Sequence, residues 1–425
     1  MKAIIDCNSF YCSCERLFKQ YLKNKPVVVL SNNDGCIISI SSEAKKLGVS
    51  MATPYFIGKP VIKEHDIAVF SSNYNLYSDL SRRVMDTIHT LLPKECIEVY
   101  SIDEAFLDLS HVAPERLATV ARHIKDTVEQ WTGIAVSIGV APTKTLAKLA
   151  NRFGKKDPNR KGVVVLDTPE KVTAALQHTE VGDVWGVGNR KALKLVEMGI
   201  TDAWQLKQLP EEWMRKNLGG VVGVRLLKEL KGEPCIELDK QRDMKKMITT
   251  TRMFGCQVTE IKDIMEAVAT YVSRAAEKLR RQQSAAKVLT VFVVPKEEGE
   301  NIKYRHGPTE STYIILPAAT SATNDLIKPA MQLVEKLFKH GKIYKKAGVI
   351  LSDLEPDKSI QANLYVPPAK NHLRYLMGMI DNMNFSMRDD VIKFGSAGTQ
   401  KNWKMRQELR SPRYTTRWNE LPEVK

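Results

Sequence analysis

The sequence predicts an α+β chain of several domains, and three observations carry the prediction. Strand and helix signals alternate through the first third of the chain. Short helices joined by glycines fill residues 168–232. A charged linker then opens a new unit with a long helix and further strands. At 425 residues there is room for two to four cores, and a hydrophobic fraction of 43% argues against a disordered scaffold.

Residues 2–6 read as a buried strand and 26–30 as another, followed by Asn32-Asn33-Asp34-Gly35, a turn whose glycine takes the positive φ. Between residues 73 and 92, Leu76, Leu80, Val84, Ile88 and Leu91 fall at helical spacing until Pro93 stops the run. Residues 97–100 and 105–109 read as strands flanking Ser101-Ile102-Asp103-Glu104. A helix near 115–131, a strand over 134–140 and a helix over 143–153 complete a mostly antiparallel sheet with helices packed on it. A basic, turn-rich stretch (154–162) precedes the short helices, whose pattern breaks at Gly232-Glu233-Pro234. After the linker at 239–246, a helix over 261–283 and strands over 287–294 and 346–352 predict a small βα domain. From residue 355 the chain is weakly periodic and proline-punctuated, and reads as an appendage rather than a core.

The 64 basic against 49 acidic residues leave a net charge of +15, which favours a polyanionic partner, nucleic acid being the commonest. A basic protein with no such partner is the other reading. The seven cysteines are odd in number and irregularly spaced. Met1 leads at once into a strand-like run ending on Asp6, so no secretory signal is read there, and the thiols are expected to be reduced in a cytosolic protein. Cys12 and Cys14 lack a second Cys or His pair at ligand spacing and read as packing, not zinc. No apolar run of about 18 residues predicts a membrane span.

The chemistry concentrates in three carboxylates. Asp6 ends the first predicted strand, and Asp103-Glu104 sits between two later ones with apolar residues on both sides. Acids inside apolar runs are costly unless paired or bound to metal. A strand-end carboxylate facing a hairpin-borne pair suits two Mg²⁺ ions roughly 3.5–4 Å apart, held by few protein oxygens plus substrate phosphates. The alternative is that Asp103-Glu104 is a solvated turn.

Asp6-Cys7-Asn8-Ser9-Phe10-Tyr11 and Ser101-Ile102-Asp103-Glu104-Ala105-Phe106 resemble the two catalytic motifs of the Y-family DNA polymerases. Similarity continues through Lys144-Thr145-Leu146-Ala147-Lys148-Leu149-Ala150 and Val184-Trp185-Gly186-Val187-Gly188. The strings at 31–36, 70–74 and especially 411–417 resemble the UmuC branch, the catalytic subunits of bacterial translesion polymerases. The resemblance spans essentially the whole chain, with the motifs in family order. It implies a right-hand polymerase with a palm (1–20 and 70–166), fingers (21–69), a helical thumb with a helix-hairpin-helix (167–235), a little finger (245–353) and a C-terminal partner-binding extension (354–425). The implied activity is error-prone, Mg²⁺-dependent translesion synthesis from dNTPs on primer-template DNA, within the SOS response to DNA damage. The implied setting is the cytoplasm, on the nucleoid. Alternatives are an accessory-independent DinB-type polymerase, which the 411–417 string argues against, and a non-catalytic protein that only binds damaged primer ends.

Residue by residue, the resemblance makes Asp6, Asp103, Glu104 and the Cys7 carbonyl the metal ligands, with Asp103 and Glu104 catalytic. It makes Tyr11 a steric gate against a ribose 2′-hydroxyl. Phe10 either lines the triphosphate site or packs in the core. Lys155, with Lys156 as its rival, contacts the incoming phosphates, or else is a solvated loop lysine. Ser42 and Lys45 stand where many Y-family members carry a Tyr and an Arg. Lys45 lacks the planar fork of arginine, which predicts a weaker grip on the triphosphate. Gly186, Gly188 and Arg190 would meet a DNA phosphate at a helix N-terminus. Arg280, Arg281 and Lys287 either touch DNA or form a solvated helix end. Six basic residues between 401 and 417 could meet DNA or an acidic protein, and charge does not choose. Gln361, Leu364 and Tyr365 resemble the peptide by which bacterial polymerases dock on the sliding clamp. The branch also implies a UmuD′-like dimer and a RecA filament as partners.

Overall fold

The computed structural model describes residues 1–157, 160–239, 244–296, 308–361, 371–387 and 390–422. The chain divides into two compact units. One comprises Met1–Leu30, Ile37–Arg242 and Ser411–Lys425, and the other Ser31–Cys36 and Asp243–Arg410.

The first unit is built on β1 (Lys2–Cys7). A three-stranded sheet beside it joins β2 (Val27–Leu30), β3 (Ile37–Ile40) and β4 (Ala68–Ser71) in the order β3-β2-β4, with β2 and β4 parallel. The central sheet adds β5 (Ile97–Val99), β6 (Glu104–Asp108), β7 (Val136–Ala141) and β8 (Val163–Val165) in the order β5-β6-β1-β7-β8. β1 is antiparallel to both neighbours, as a mostly antiparallel sheet requires, and its apolar run is buried.

Side chains alternate across a strand, and both faces of β1 are covered. Ala3, Ile5 and Cys7 join a core with residues of helices Phe10–Leu17, Tyr74–Leu91 and Leu117–Thr132. Ile4 and Phe106 pack the other way, with Leu146, Ala147 and Ala150 of helix Lys144–Lys156. Asp6 and Glu104 share the parity of Ile4 and Phe106, so the pleat aims them toward that helix. The helix is started by Thr143, whose hydroxyl accepts from the Leu146 N–H, and by the buried Glu229, which accepts from the Thr145 N–H at 3.0 Å. It packs on β7 at Gly139, where a Cβ would lie 2.2 Å from the Ala147 carbonyl. The short helices expected over 168–232 are present, from Pro169–Gln177 to Val221–Lys231, and share the core of helix Lys144–Lys156.

From Ile248 to Pro356 the second unit runs strand–helix–strand–strand–helix–strand, and helix Asn371–Ser386 follows. β9 (Ile248–Val258), β10 (Ser284–Pro295), β11 (Glu310–Thr320) and β12 (Tyr344–Pro356) form an antiparallel sheet in the order β11-β10-β12-β9, packed with helices Ile261–Arg281 and Thr323–Leu337. This is larger than the predicted βα domain by β9, β11 and the second helix.

Two further expectations are corrected. Gly35 has a negative φ, and it is Asn33 (φ 58°) and Asp34 (φ 49°) that turn left-handed. Asn and Asp tolerate that region because their short polar side chains bond locally. Here Asn33 bonds at long range instead, donating to the Phe254 carbonyl at 3.1 Å and accepting from the Arg406 N–H at 2.8 Å. Nor is the C-terminal stretch a mere appendage. Ala397 and Trp403 are buried in the core of the second unit, and Ser411 is buried in the first.

Candidate active site

The antiparallel register sets Asp6 directly opposite Glu104, and the Cys7 N–H donates to the Asp103 carbonyl at 2.9 Å, pinning the end of β1 to the 101–104 link. That link is tied by Ser101. Its hydroxyl donates to Asp103 Oδ1 at 2.6 Å and accepts from the N–H groups of Asp103 and Glu104 at 3.2 and 3.0 Å. Strand pairing and one serine thus set the backbones of the three expected residues side by side.

Two lysines of helix Lys144–Lys156, seven residues apart and so on one face, reach them. Lys155 Nζ lies 2.6 Å from Asp6 Oδ1. Lys148 Nζ lies 3.0 and 3.1 Å from the two oxygens of Glu104. Burial pushes Asp6 up to about 6, with Glu104 adding to the shift and Lys155 opposing it. Among the described residues no three acidic, histidine or cysteine side chains converge as a metal shell, because two of the carboxylates are drawn to ammonium groups and the third to Ser101. The donors are nevertheless all hard oxygens, the kind Mg²⁺ prefers. An Asp6 so destabilised as an anion is a group that a cation would stabilise.

Lys148 was not foreseen. Its ammonium sits 4.7 Å from the Tyr100 ring centroid and 5.2 Å from that of Trp185, in a cage of aromatics drawn from separate segments. A lysine repeating at helical spacing looks solvated in a sequence, and only the fold reveals the cage.

Tyr11 follows a sharp elbow at Ser9 (φ 44°), fixed by the Ser9 hydroxyl on the Ile40 carbonyl at 2.8 Å. Its half-buried ring stacks on Tyr77 at 4.5 Å and meets Tyr74 edge-on at 6.0 Å. Burial raises its phenol, with Tyr74 and then Asp103 adding to the shift. Phe10, by contrast, is 3% exposed and belongs to the core. Lys45 is exposed on the short helix Ser42–Lys46. The side chain of Lys156 lies outside the described residues.

Val184 and Val187 anchor the predicted hairpin in the core, while Gly186 (φ 95°), Gly188 and Arg190 are exposed, with Gly188 capping helix Asn189–Glu197. Arg280 and Arg281 are held within the second unit. Arg280 grips Asp381 through two bonds of 2.6 and 2.7 Å, and Arg281 pairs with Glu277 at 2.6 Å. The six basic residues between 401 and 417 are divided, four with the second unit and Arg413 and Arg417 with the first. Gln361 is exposed, and Leu364 and Tyr365 lie outside the described residues.

Residues 5–152 match the impB/mucB/samB family, residues 245–364 match that family's C-terminal domain, and residues 374–424 match a domain of unknown function, DUF4113. The chain is 40% identical to the protein UmuC of Salmonella typhimurium over the full length of both, and 39% identical to ImpB of Salmonella typhimurium over 99% of each. It is 30% identical to DNA polymerase IV of Brucella melitensis, over 83% of this chain and 76% of that one. Among solved structures it is similar to a Y-family DNA polymerase chimera of Dbh and Dpo4, with a TM-score of 0.65 and 22% identity over 83% of this chain and 99% of that one. An insertion ternary complex of Dbh DNA polymerase matches with a TM-score of 0.55 and 23% identity, over 83% and 98%. The family matches and the full-length relatives define a Y-family DNA polymerase, and the fold agrees. The chain belongs to the impB/mucB/samB family, the UmuC-type members of that class, and is an enzyme, a DNA-directed DNA polymerase.

Proposed function

We propose that this polymerase extends primers across damaged template by a two-metal reaction centred on Asp6, Asp103 and Glu104. The observation that carries the reading is the juxtaposition of Asp6 with Glu104 across the β1–β6 register, with Asp103 tied beside them. The primer 3′-hydroxyl oxygen forms a bond to the α-phosphorus of the dNTP, the bond to pyrophosphate breaks, and the hydroxyl proton leaves to solvent. Two Mg²⁺ ions, when bound, would acidify that hydroxyl and neutralise the leaving pyrophosphate. Asp6, Asp103, Glu104 and the Cys7 carbonyl would hold them.

The remaining roles fall to the chain's own groups. Lys155, now the counter-ion of Asp6, is free to turn to the triphosphate once a cation replaces it, with Lys45 at the outer edge. Lys148 steadies Glu104. Tyr11 closes the space below the sugar and excludes a 2′-hydroxyl, and Phe10, buried behind it, supports the elbow. Gly186, Gly188 and Arg190 hold the duplex through phosphates, without reading sequence.

We assign it to error-prone translesion synthesis in the SOS response, acting on the nucleoid in the cytoplasm. A UmuD′-like dimer, a RecA filament and the sliding clamp would be its partners, the last through Gln361, Leu364 and Tyr365. No described helix is long and apolar enough to cross a membrane.

The test is Mg²⁺-dependent primer extension across an abasic site, with and without those partners, with Asp103→Ala in parallel. Extension by the parent chain, lost in Asp103→Ala while DNA binding persists, supports the reading. DNA binding without extension under every partner condition would instead point to a non-catalytic primer-end binder.

A further inference from the structure

The C-terminal segment reaches the two helices that bear the Tyr11 stack. Ser411 is 4% exposed, and its hydroxyl donates to Glu15 Oε1 at 3.0 Å. The same oxygen accepts from the Tyr77 hydroxyl at 2.6 Å. Glu15 lies on helix Phe10–Leu17, one turn beyond Tyr11, and Tyr77 lies on helix Tyr74–Leu91 with its ring flat against Tyr11. Asn73 is a second anchor. Its Nδ2 donates to the carbonyls of Ser411 and Pro412 and to the Ser411 hydroxyl, at 3.0 to 3.1 Å, while its Oδ1 caps the helix carrying Tyr74 and Tyr77. Tyr414 stacks on Phe18 at 4.5 Å, just past the first helix.

We infer that residues 411–414 are a positioning part of the nucleotide site: by fixing Glu15 and the Tyr77 hydroxyl, they hold the Tyr77 ring under Tyr11 and thereby set discrimination between deoxyribo- and ribonucleotides. The argument is one of degrees of freedom. A tyrosine ring that is half-buried can tilt unless its neighbours are over-determined. Tyr77 is buried, and its hydroxyl is fixed on a carboxylate oxygen shared with Ser411. Among the described residues Glu15 Oε2 is buried without a hydrogen-bond partner, so the carboxylate is held through Oε1 alone, and a network of this kind loosens as a unit when one bond is removed. With Ser411 gone, Glu15 and Asn73 each lose a buried partner, and the Tyr77 ring gains the freedom to let Tyr11 recede from the sugar. The inference rests on Tyr11 being the steric gate.

The experiment compares insertion of matched dNTP and rNTP on a primed template by the full chain, with whatever partners extension needs. The variants are Tyr11→Ala, Tyr77→Phe, Ser411→Val and Ser411→Thr. Ser411→Val and Tyr77→Phe are expected to raise the ratio of rNTP to dNTP kcat/KM roughly five-fold, the equivalent of one hydrogen bond's net worth. Ser411→Thr keeps the hydroxyl and restores discrimination. Tyr11→Ala raises the ratio further, and adding Ser411→Val to it raises it no more, because the two act through one contact. A tail with a merely structural role would lower insertion of both sugars alike and leave the ratio unchanged. That result, with Tyr11→Ala still relaxing selectivity, overturns the inference alone. An unchanged ratio in Tyr11→Ala itself overturns the gate and the inference together. Should Ser411→Val fail to fold, Ser411→Ala, which removes the hydroxyl without adding bulk, carries the test.

Discussion

Asp6 is pulled two ways. Burial and the facing Glu104 favour its neutral form, Lys155 favours its charge, and the balance raises its pKa from 3.8 to about 6. A carboxyl whose folded pKa is raised stabilises the fold fully below its unfolded value of 3.8, and that contribution is lost as pH rises through about 6. The metal-free protein should therefore lose stability over that window, and Asp6→Asn should remove the loss. Thermal melts in a chelator should find Asp6→Asn more stable than the parent by on the order of 2 kcal/mol at about pH 7.5. The gain should shrink at about pH 4.5, with extension abolished at both. An equal difference at the two pH values would show that Asp6 is not the strained group. Such a gain would be the usual trade between a functional site and stability.

The helix Lys144–Lys156 is the element that delivers Lys148 and Lys155, and it sits on bare backbone at Gly139. A methyl there would lie 2.2 Å from both the Ala147 carbonyl and the Asn151 N–H nitrogen, neither of which can swing aside. Gly139→Ala should cost about 1–3 kcal/mol or more and, by lifting the helix, depress nucleotide insertion beyond its effect on melting. A variant that melts lower but inserts normally would detach the lysines from the chemistry. The elements that were legible in the sequence share strong periodicity, as in β1, β7 and helix Tyr74–Leu91. Two of those that were missed carry local contradictions. Helix Thr323–Leu337 contains Pro329, and β11 contains Pro317 and over its first six residues alternates half-buried with exposed side chains. The turn at 32–35 is legible in the sequence, but left-handed φ falls on Asn33 and Asp34, whose bonds to Phe254 and Glu408 are tertiary and leave no local mark. In the site, carboxylates inside apolar runs announced themselves. Lys148, Glu15 and Ser411 did not, since each gains its meaning from partners distant in sequence.

Over the whole molecule, a net charge of +15 and the exposed hairpin glycines predict DNA binding that is largely electrostatic. Affinity for primer-template, followed by fluorescence anisotropy, should fall by about two orders of magnitude or more between about 50 and 200 mM salt. A flat dependence would indicate that the positive charge is not spent on phosphate. The central claim is that Asp6, Asp103 and Glu104 form one metal centre. The most direct measurement is the crystal structure of the full chain with primer-template, an unreactive dNTP and Mn²⁺ in place of Mg²⁺, with the ions located by anomalous scattering. The account predicts two peaks roughly 3.5–4 Å apart against these carboxylates, with Lys155 moved from Asp6 to the triphosphate. Peaks elsewhere, or Lys155 still paired with Asp6 while nucleotide is bound, would contradict it.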